Sequence, residues 1–268
     1  MQPLLPIGVV KSAKTADMPY EPFYCPAEIE IKKELLPALK RLEENSHIWV
    51  ICLYTPRRNQ KLQSTPNHID PNLDSFGILA LRSPHHPNPI ALTLARLKKV
   101  VENIIYVENL DAYNGTPVLD IKPYYEHDII FSPTMPLIRH QDKAKRQAAL
   151  WNLALNHHQE GCPGASLAVK MVLLLENMGL NIQDKALSLF VTGDSCLADT
   201  LQGLCRARLA NPARFTYQED REGGKTRCCW LYQKQNTTIS VREDIPKDTQ
   251  MILAASAEDL FFIEISSG

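Results

Sequence analysis

Apolar residues follow two different rhythms along this chain, and the change comes near residue 140. Before it, short apolar runs are separated by turn residues. Ile48–Tyr54 (IWVICLY), Phe76–Leu81 (FGILAL), Leu92–Val101 and Ile104–Leu110 are predicted strands, with Leu92–Val101 alternating least cleanly. Ser83-Pro84, His86-Pro87 and Asn88-Pro89 cannot lie inside a helix or a central strand. Leu35–Asn45 (LLPALKRLEEN) reads as a short amphipathic helix with Pro37 in its first turn. Short strands with this punctuation predict a small all-β barrel or sandwich.

After residue 140 the period lengthens. Ala144–Leu155 is an Ala-rich helix, and Ala165–Met178 (ASLAVKMVLLLENM) a buried one that Gly179 caps. Leu197–Ala210 is a helix expected to stop at Asn211-Pro212. Leu187–Thr192, Thr226–Tyr232, Thr237–Val241 and Leu260–Ile265 are strands. This half is α+β. The boundary falls between Ile130 and Asp142, where FSPTMP offers few core residues, giving domains 1–138 and 139–268.

Composition adds little to that picture. The chain has 268 residues, 44% hydrophobic and 22% charged, as in ordinary globular proteins. A net charge of -1 excludes a global basic field, so any nucleic-acid contact must use a local patch or a partner subunit. The start MQPLLPIGVV has no basic region before its short apolar run, and no apolar stretch reaches membrane-span length. Seven cysteines, an odd number, are expected as reduced thiols in a cytoplasmic protein, with Cys25, Cys52 and Cys205 buried as small hydrophobes.

Three segments carry candidate chemistry in the first half: Ile7–Ser12, Gly77–Leu92 (GILALRSPHHPNPIAL) and Leu110–Tyr124 (LDAYNGTPVLDIKPY). Ser-Pro and Asn-Pro pairs stiffen loops, leaving little entropy to lose when a small molecule binds. The planar fork of Arg82 matches a carboxylate. Asp111 can accept from an ammonium or a hydroxyl, and Asn114-Gly115 signals a hairpin. Asp120 and Lys122 are expected to pair across the barrel.

These segments, with Asn45–Trp49, resemble the TrmO family of S-adenosylmethionine (SAM)-dependent tRNA methyltransferases over residues 5 to 130. The resemblance implies a seven-stranded-type barrel that binds SAM and works as a homodimer, methylating threonylcarbamoyladenosine in tRNA. Its SAM contacts fall here on Pro19, Tyr20, Glu21 and Pro22, on Thr55, Arg82 and Leu92, and on Asp111, Ala112, Tyr113 and Asn114. Several positions depart from the family. Tyr20-Glu21 stands where Arg-Gln is common, Thr55-Pro56 where His-Gln is, His86 where Arg precedes Pro-Asn-Pro, and Asn114 where an acid precedes Gly-Thr-Pro. His85 and His86 are the imidazoles nearest the expected pocket and the candidates for a general base.

In the second half, His157-His158-Gln159-Glu160-Gly161-Cys162-Pro163-Gly164 precedes the buried helix, and Asp194-Ser195-Cys196 opens the next one. Over residues 150 to 240 this resembles the FmdE family of formylmethanofuran dehydrogenase components. There His158 falls on the first His of the family's pattern, Cys162 and Cys196 on its cysteines, and Glu160 replaces its second His. Imidazole, carboxylate and two thiolates suit zinc or another transition metal if the two helix starts converge. The alternatives are reactive thiols acidified at helix N-termini, or small residues with no chemistry. Cys228-Cys229 lies in a predicted strand, so at most one of the pair can add a ligand.

Three functions remain open on these residues. The first is a SAM-dependent methyltransferase. The second is a metal- or cofactor-handling protein linked to molybdenum or tungsten enzyme maturation. The third is a module that senses SAM without turnover.

Overall fold

In the first unit, alternate side chains of each strand point inward and close a barrel. The computed structural model describes residues 3–12, 15, 26–54, 61–220 and 225–267. It divides into two units, Met1–Ile130 and Phe131–Gly268. The strands of the first are β1 (Gly8–Ser12), β2 (Ala27–Ile31), β3 (His47–Leu53), β4 (Gln63–Ser64), β5 (Phe76–Gly77), β6 (Ile90–Val101), β7 (Ile104–Glu108) and β8 (Pro117–Pro123). Six of them form a closed barrel in the order β1-β2-β7-β6-β3-β8. Ile29, Ile48, Val50, Cys52, Ile105, Val107 and Val118 fill it, as the two-residue period of strands requires.

The six-stranded barrel corrects the seven-stranded expectation. Phe76–Leu81 supplies no barrel strand: only Phe76 and Gly77 are extended, they pair with β4, and Ile78–Ala80 turns into a 3-10 helix. The untidy alternation of β6 has a cause in register shifts, or bulges, against β7 between Leu97 and Lys99. Leu35–Asn45 is not one amphipathic helix. Two 3-10 segments, Lys33–Leu39 and Leu42–Glu44, flank Arg41, whose φ is 67°, and Pro37 lies within the first.

β1 and β8 close the ring over two residue pairs, Gly8–Val118 and Val9–Pro117. The Ile7 and Val10 amides extend this seam by donating to the Val118 and Thr116 carbonyls at 2.8 and 2.9 Å. Gly8 is needed there because a Cβ would lie 2.5 Å from the Glu30 carbonyl oxygen of β2. Asn114-Gly115 makes a tight turn, with the Thr116 amide donating to the Tyr113 carbonyl at 3.1 Å and Gly115 at φ +82°. It is not a hairpin, because β7 and β8, which it joins, are not neighbours in the barrel. Asp120 and Lys122 pair at 2.7 Å along one strand face rather than across the barrel.

The second unit is α+β. It contains α1 (Lys143–His158), α2 (Pro163–Asn177), β9 (Ser188–Gly193), α3 (Ser195–Cys205), β10 (Phe215–Glu219), β11 (Arg227–Tyr232), β12 (Gln235–Val241), α4 (Thr249–Ala254), α5 (Ala257–Leu260) and β13 (Phe261–Ser267). Its sheet runs β10-β9-β11-β12-β13, with β10 parallel to β9 and the rest antiparallel. α2 is the central helix. Ala168, Val169, Met171, Val172 and Leu175 are wholly buried, so apolar residues occur on every side of it. Gly179, at φ +85°, ends it as expected, with the Leu180 amide donating to the Leu175 carbonyl at 3.0 Å. Glu176 of α2 accepts two bonds from Arg146, at 2.8 and 2.9 Å, and pairs with Arg139 at 3.1 Å. α3 stops at Cys205, short of the predicted Ala210, because Arg206 turns to φ 54°. Among the described residues no helix is long and apolar enough to cross a membrane.

Candidate functional site

Barrel topology brings Leu92 and the Asp111–Asn114 connection toward one rim. β1 ends, β2 begins, β3 ends, β6 begins, β7 ends and β8 begins at the same end, as the pairs Ser12–Ala27, Ala27–Val107, Leu53–Ile90 and Cys52–Val118 require. Arg82 precedes β6, Leu92 lies near its start, and Asp111–Asn114 connects β7 to β8. Pro19, Tyr20, Glu21, Pro22, Thr55 and Cys25 lie outside the described residues.

Local bonds fix this rim. Tyr54 donates its hydroxyl to the Asp111 carbonyl at 3.0 Å, and its amide to the Pro89 carbonyl at 2.7 Å. Burial, then the Asp111 carboxylate, keeps that phenol protonated far above its ordinary range. Asn114 Oδ1 accepts from the Ser12 amide at 3.3 Å, tying the β7–β8 connection to the end of β1. Arg82 is exposed, and Leu92 is 45% exposed. Ala112 is 3% exposed and packs in the barrel core, so only its backbone is left to meet a ligand. The two histidines differ. His86 Nε2 is committed to the Leu81 carbonyl at 2.7 Å, whereas His85 Nδ1 is buried with no partner. A cavity of about 580 Å³ opens at the rim between the end of β1 and β7. It takes in Asn114 but not Arg82, Leu92 or Asp111, and Lys11, Lys98 and Lys99 share its walls with Glu28 and Glu108.

The second set comes together where α2 and α3 begin. His158 is the last residue of α1, Cys162 is the N-cap of α2, and Cys196 is in the first turn of α3. One donor atom from each lies within 4.8 Å of the other two. Gly164 allows the approach: a Cβ there would sit 2.5 Å from Asp194 Oδ1, 2.8 Å from Cys196 Cβ and 2.9 Å from the Leu197 amide nitrogen. His158 Nε2 is 3.4 Å from Cys162 Sγ, and its Nδ1 is 2.7 Å from Asp199 Oδ2. The Ala165 amide donates to Cys162 Sγ at 3.4 Å. His157 Nε2 is 3.3 Å from Asp199 Oδ1, but it is not aligned for a hydrogen bond.

This donor set fits a transition metal. A tetrahedral ion about 2.3 Å from sulfur and about 2.05 Å from nitrogen separates the two donors by roughly 3.5 Å, close to the 3.4 Å between His158 and Cys162. A carboxylate on the far nitrogen of a ligating imidazole is the usual outer partner of such a site. Asp199 was not apparent from spacing alone, although it lies one helical turn after Cys196 on α3. Glu160 is not among the converging donors. Cys228 is fully buried and Cys229 lies on the opposite face, 3.6 Å from Thr238 Oγ1, so neither joins them. The alternative of an acidified thiol finds no support at Cys196. Burial, then the Cys162 thiol, Asp194 and Glu160, push it up to about 11.

A family model described as tRNA-methyltransferase O N-terminal domain matches residues 10–128. Over 126 residues the chain is 40% identical to a probable S-adenosyl-L-methionine-binding protein of Methanothermobacter thermautotrophicus, covering 45% of this chain and 88% of that one. Over 194 residues it is 32% identical to a probable S-adenosyl-L-methionine-binding protein of Archaeoglobus fulgidus, covering 69% and 51%. Over 130 residues it is 37% identical to the tRNA (adenine(37)-N6)-methyltransferase of Rattus norvegicus, covering 44% of this chain and 30% of that one. The chain thus spans under a third of the length of that mammalian relative. Through its barrel, this chain belongs to the tRNA-methyltransferase O N-terminal domain family.

Proposed function

We propose that the chain is a SAM-dependent methyltransferase acting on N6 of adenine 37 in tRNA, with threonylcarbamoyladenosine as the acceptor nucleoside. The observation that carries this reading is the closed barrel, with the start of β6 and the Asp111–Asn114 connection at one rim, in a chain similar to probable SAM-binding proteins. The names of the relatives support SAM and adenine 37 of tRNA, and threonylcarbamoyladenosine rests on the family resemblance.

Bound SAM supplies an electrophilic methyl group on a sulfonium. Arg82, with no polar partner among the described residues, is placed to take the carboxylate of its methionine part. Tyr54 holds the Asp111 backbone, so the connection presents its polar groups without reordering. His85 Nδ1, buried and unpartnered, is the better candidate to receive the proton that leaves the acceptor nitrogen. Ile90 and Leu92, 44% and 45% exposed beside this rim, are the surface a second copy would cover in a homodimer.

Calorimetry with SAM, followed by transfer of labelled methyl to bulk tRNA, tests the reading. Saturable binding with label in tRNA is expected. Binding without transfer would leave a SAM sensor, and absence of binding would overturn the proposal.

A second reading concerns the other unit and rests on the convergence of His158, Cys162 and Cys196. These residues would hold zinc or a similar ion, as the FmdE resemblance suggests. This fits a metal- or cofactor-handling role, in line with molybdenum or tungsten enzyme maturation. Metal content of protein purified without chelator, compared with the Cys162→Ser variant, tests it. About one equivalent, lost in the variant, is expected.

A further inference from the structure

We infer that the His158–Cys162–Cys196 centre is open: three protein donors hold the ion, and its fourth position takes an exchangeable, uncharged small ligand through a lone pair. The inference rests on the metal reading above.

Among the described residues, the neighbouring His, Cys, Asp and Glu side chains do not converge with the three donors. Asp199 gives Oδ2 to His158 Nδ1 at 2.7 Å, on the side of the ring away from the thiols. Asp194 Oδ1 caps α3 by accepting from the Leu197 amide at 2.6 Å. Cys228 is sealed in the core, and Cys229 is on the far face of its strand. Glu160 is exposed and lies outside the converging set. Among the described residues, then, three donors converge and no fourth His, Cys, Asp or Glu joins them. Closed structural zinc sites carry four protein ligands, whereas sites that bind substrate keep three.

Exposure points the same way. His158, Cys162 and Cys196 are each partly exposed rather than sealed in the core. A ligand can therefore arrive without unfolding the helix starts.

Charge selects its class. A divalent ion with two thiolates and a neutral imidazole has no net charge. Asp194 and Glu160 both bring negative charge to Cys196, and Asp199 adds a third carboxylate behind His158. An anion entering that field meets repulsion, while a neutral amine, imidazole or carbonyl compound does not.

The test loads the full chain with one equivalent of Co(II) and reads its sulfur-to-cobalt charge-transfer and d–d bands. Imidazole and azide are then titrated separately. The expected result is tetrahedral thiolate bands whose d–d region shifts with imidazole while the charge-transfer band persists. Imidazole should bind at least about tenfold more tightly than azide, as like-charge repulsion requires. Glu160→Gln should keep the cobalt spectrum, because Glu160 is not a ligand.

Absence of thiolate bands would refute the metal reading itself. Thiolate bands that neither ligand shifts, or cobalt lost in Glu160→Gln, would establish a closed site and overturn only the present inference. Azide binding as tightly as imidazole would overturn the charge selection.

Discussion

Asp199 Oδ2 lies 2.7 Å from His158 Nδ1, on the side of the imidazole opposite Cys162 Sγ, which faces Nε2 at 3.4 Å. The carboxylate keeps the proton on Nδ1 and aims the Nε2 lone pair at the thiols. Replacing Asp199 with Asn removes the charge and keeps the shape. Zinc affinity in Asp199→Asn should fall about 10–100-fold, as read by competition with a chromophoric chelator. Unchanged affinity would reduce the pair to a helix-to-helix tie.

Gly164 makes a second, steric demand on the same site. Alanine there gains up to about 1 kcal/mol of helix preference, but its Cβ would meet the Leu197 backbone nitrogen at 2.9 Å as well as Asp194 and Cys196. Backbone cannot swing aside, so overpacking wins, at a cost of about 1–3 kcal/mol. Urea unfolding of metal-free Gly164→Ala should show that loss, and metal content should fall with it.

In the proposed SAM site Arg82 is the candidate partner of the SAM carboxylate. Arg82→Ala should weaken SAM binding by about 1.5–3 kcal/mol, or roughly 10–150-fold. Arg82→Lys should recover only part, because the bidentate geometry is lost. Calorimetry at fixed salt distinguishes the three proteins, and equal affinities would place the SAM carboxylate elsewhere.

Glu176 joins two arginines, all three side chains being no more than 19% exposed. Removing it strands two partly buried cations. Glu176→Ala should therefore destabilise the protein by about 3–5 kcal/mol, measured by denaturant titration. A loss below about 1 kcal/mol would mean that water replaces the carboxylate.

Cys52 lies 2% exposed in the barrel, and burial pushes its thiol up to about 12 from an ordinary 9.0. The folded state holds the proton more tightly than the unfolded one. This contribution is complete below pH 9 and is lost as pH rises toward 12, by about 1.4 kcal/mol per unit at most. Unfolding of wild type and Cys52→Ala at pH 8 and 10.5 should show the difference between them shift in favour of Cys52→Ala at the higher pH.

Much of the fold is legible along the chain because its signals are local. The two-residue period of Ile48–Tyr54 becomes β3, and the apolar run of Ala165–Met178 with Gly179 becomes α2. Local signals fail where a neighbour far away in sequence decides. FGILAL is apolar enough for a strand, yet only Phe76 and Gly77 find a partner. FTYQE has little apolar content, and β10 forms because β9 offers it a parallel edge. Among the site residues, His158, Cys162 and Cys196 stand out by type. The outer role of Asp199 and the exclusion of Glu160 depend on the angle between helix starts, which leaves no pattern in the sequence.

The narrow β1–β8 seam makes failure of the first unit a problem of solubility before one of chemistry. Once opened there, the closed ring becomes a six-stranded ribbon with two raw edges, and the β8 edge carries the apolar run Pro117-Val118-Leu119. Raw edges recruit strands from other molecules. Damage at Gly8, where any Cβ presses on the Glu30 carbonyl oxygen, would therefore first appear as concentration-dependent aggregation, while the surviving monomer still held its rim intact.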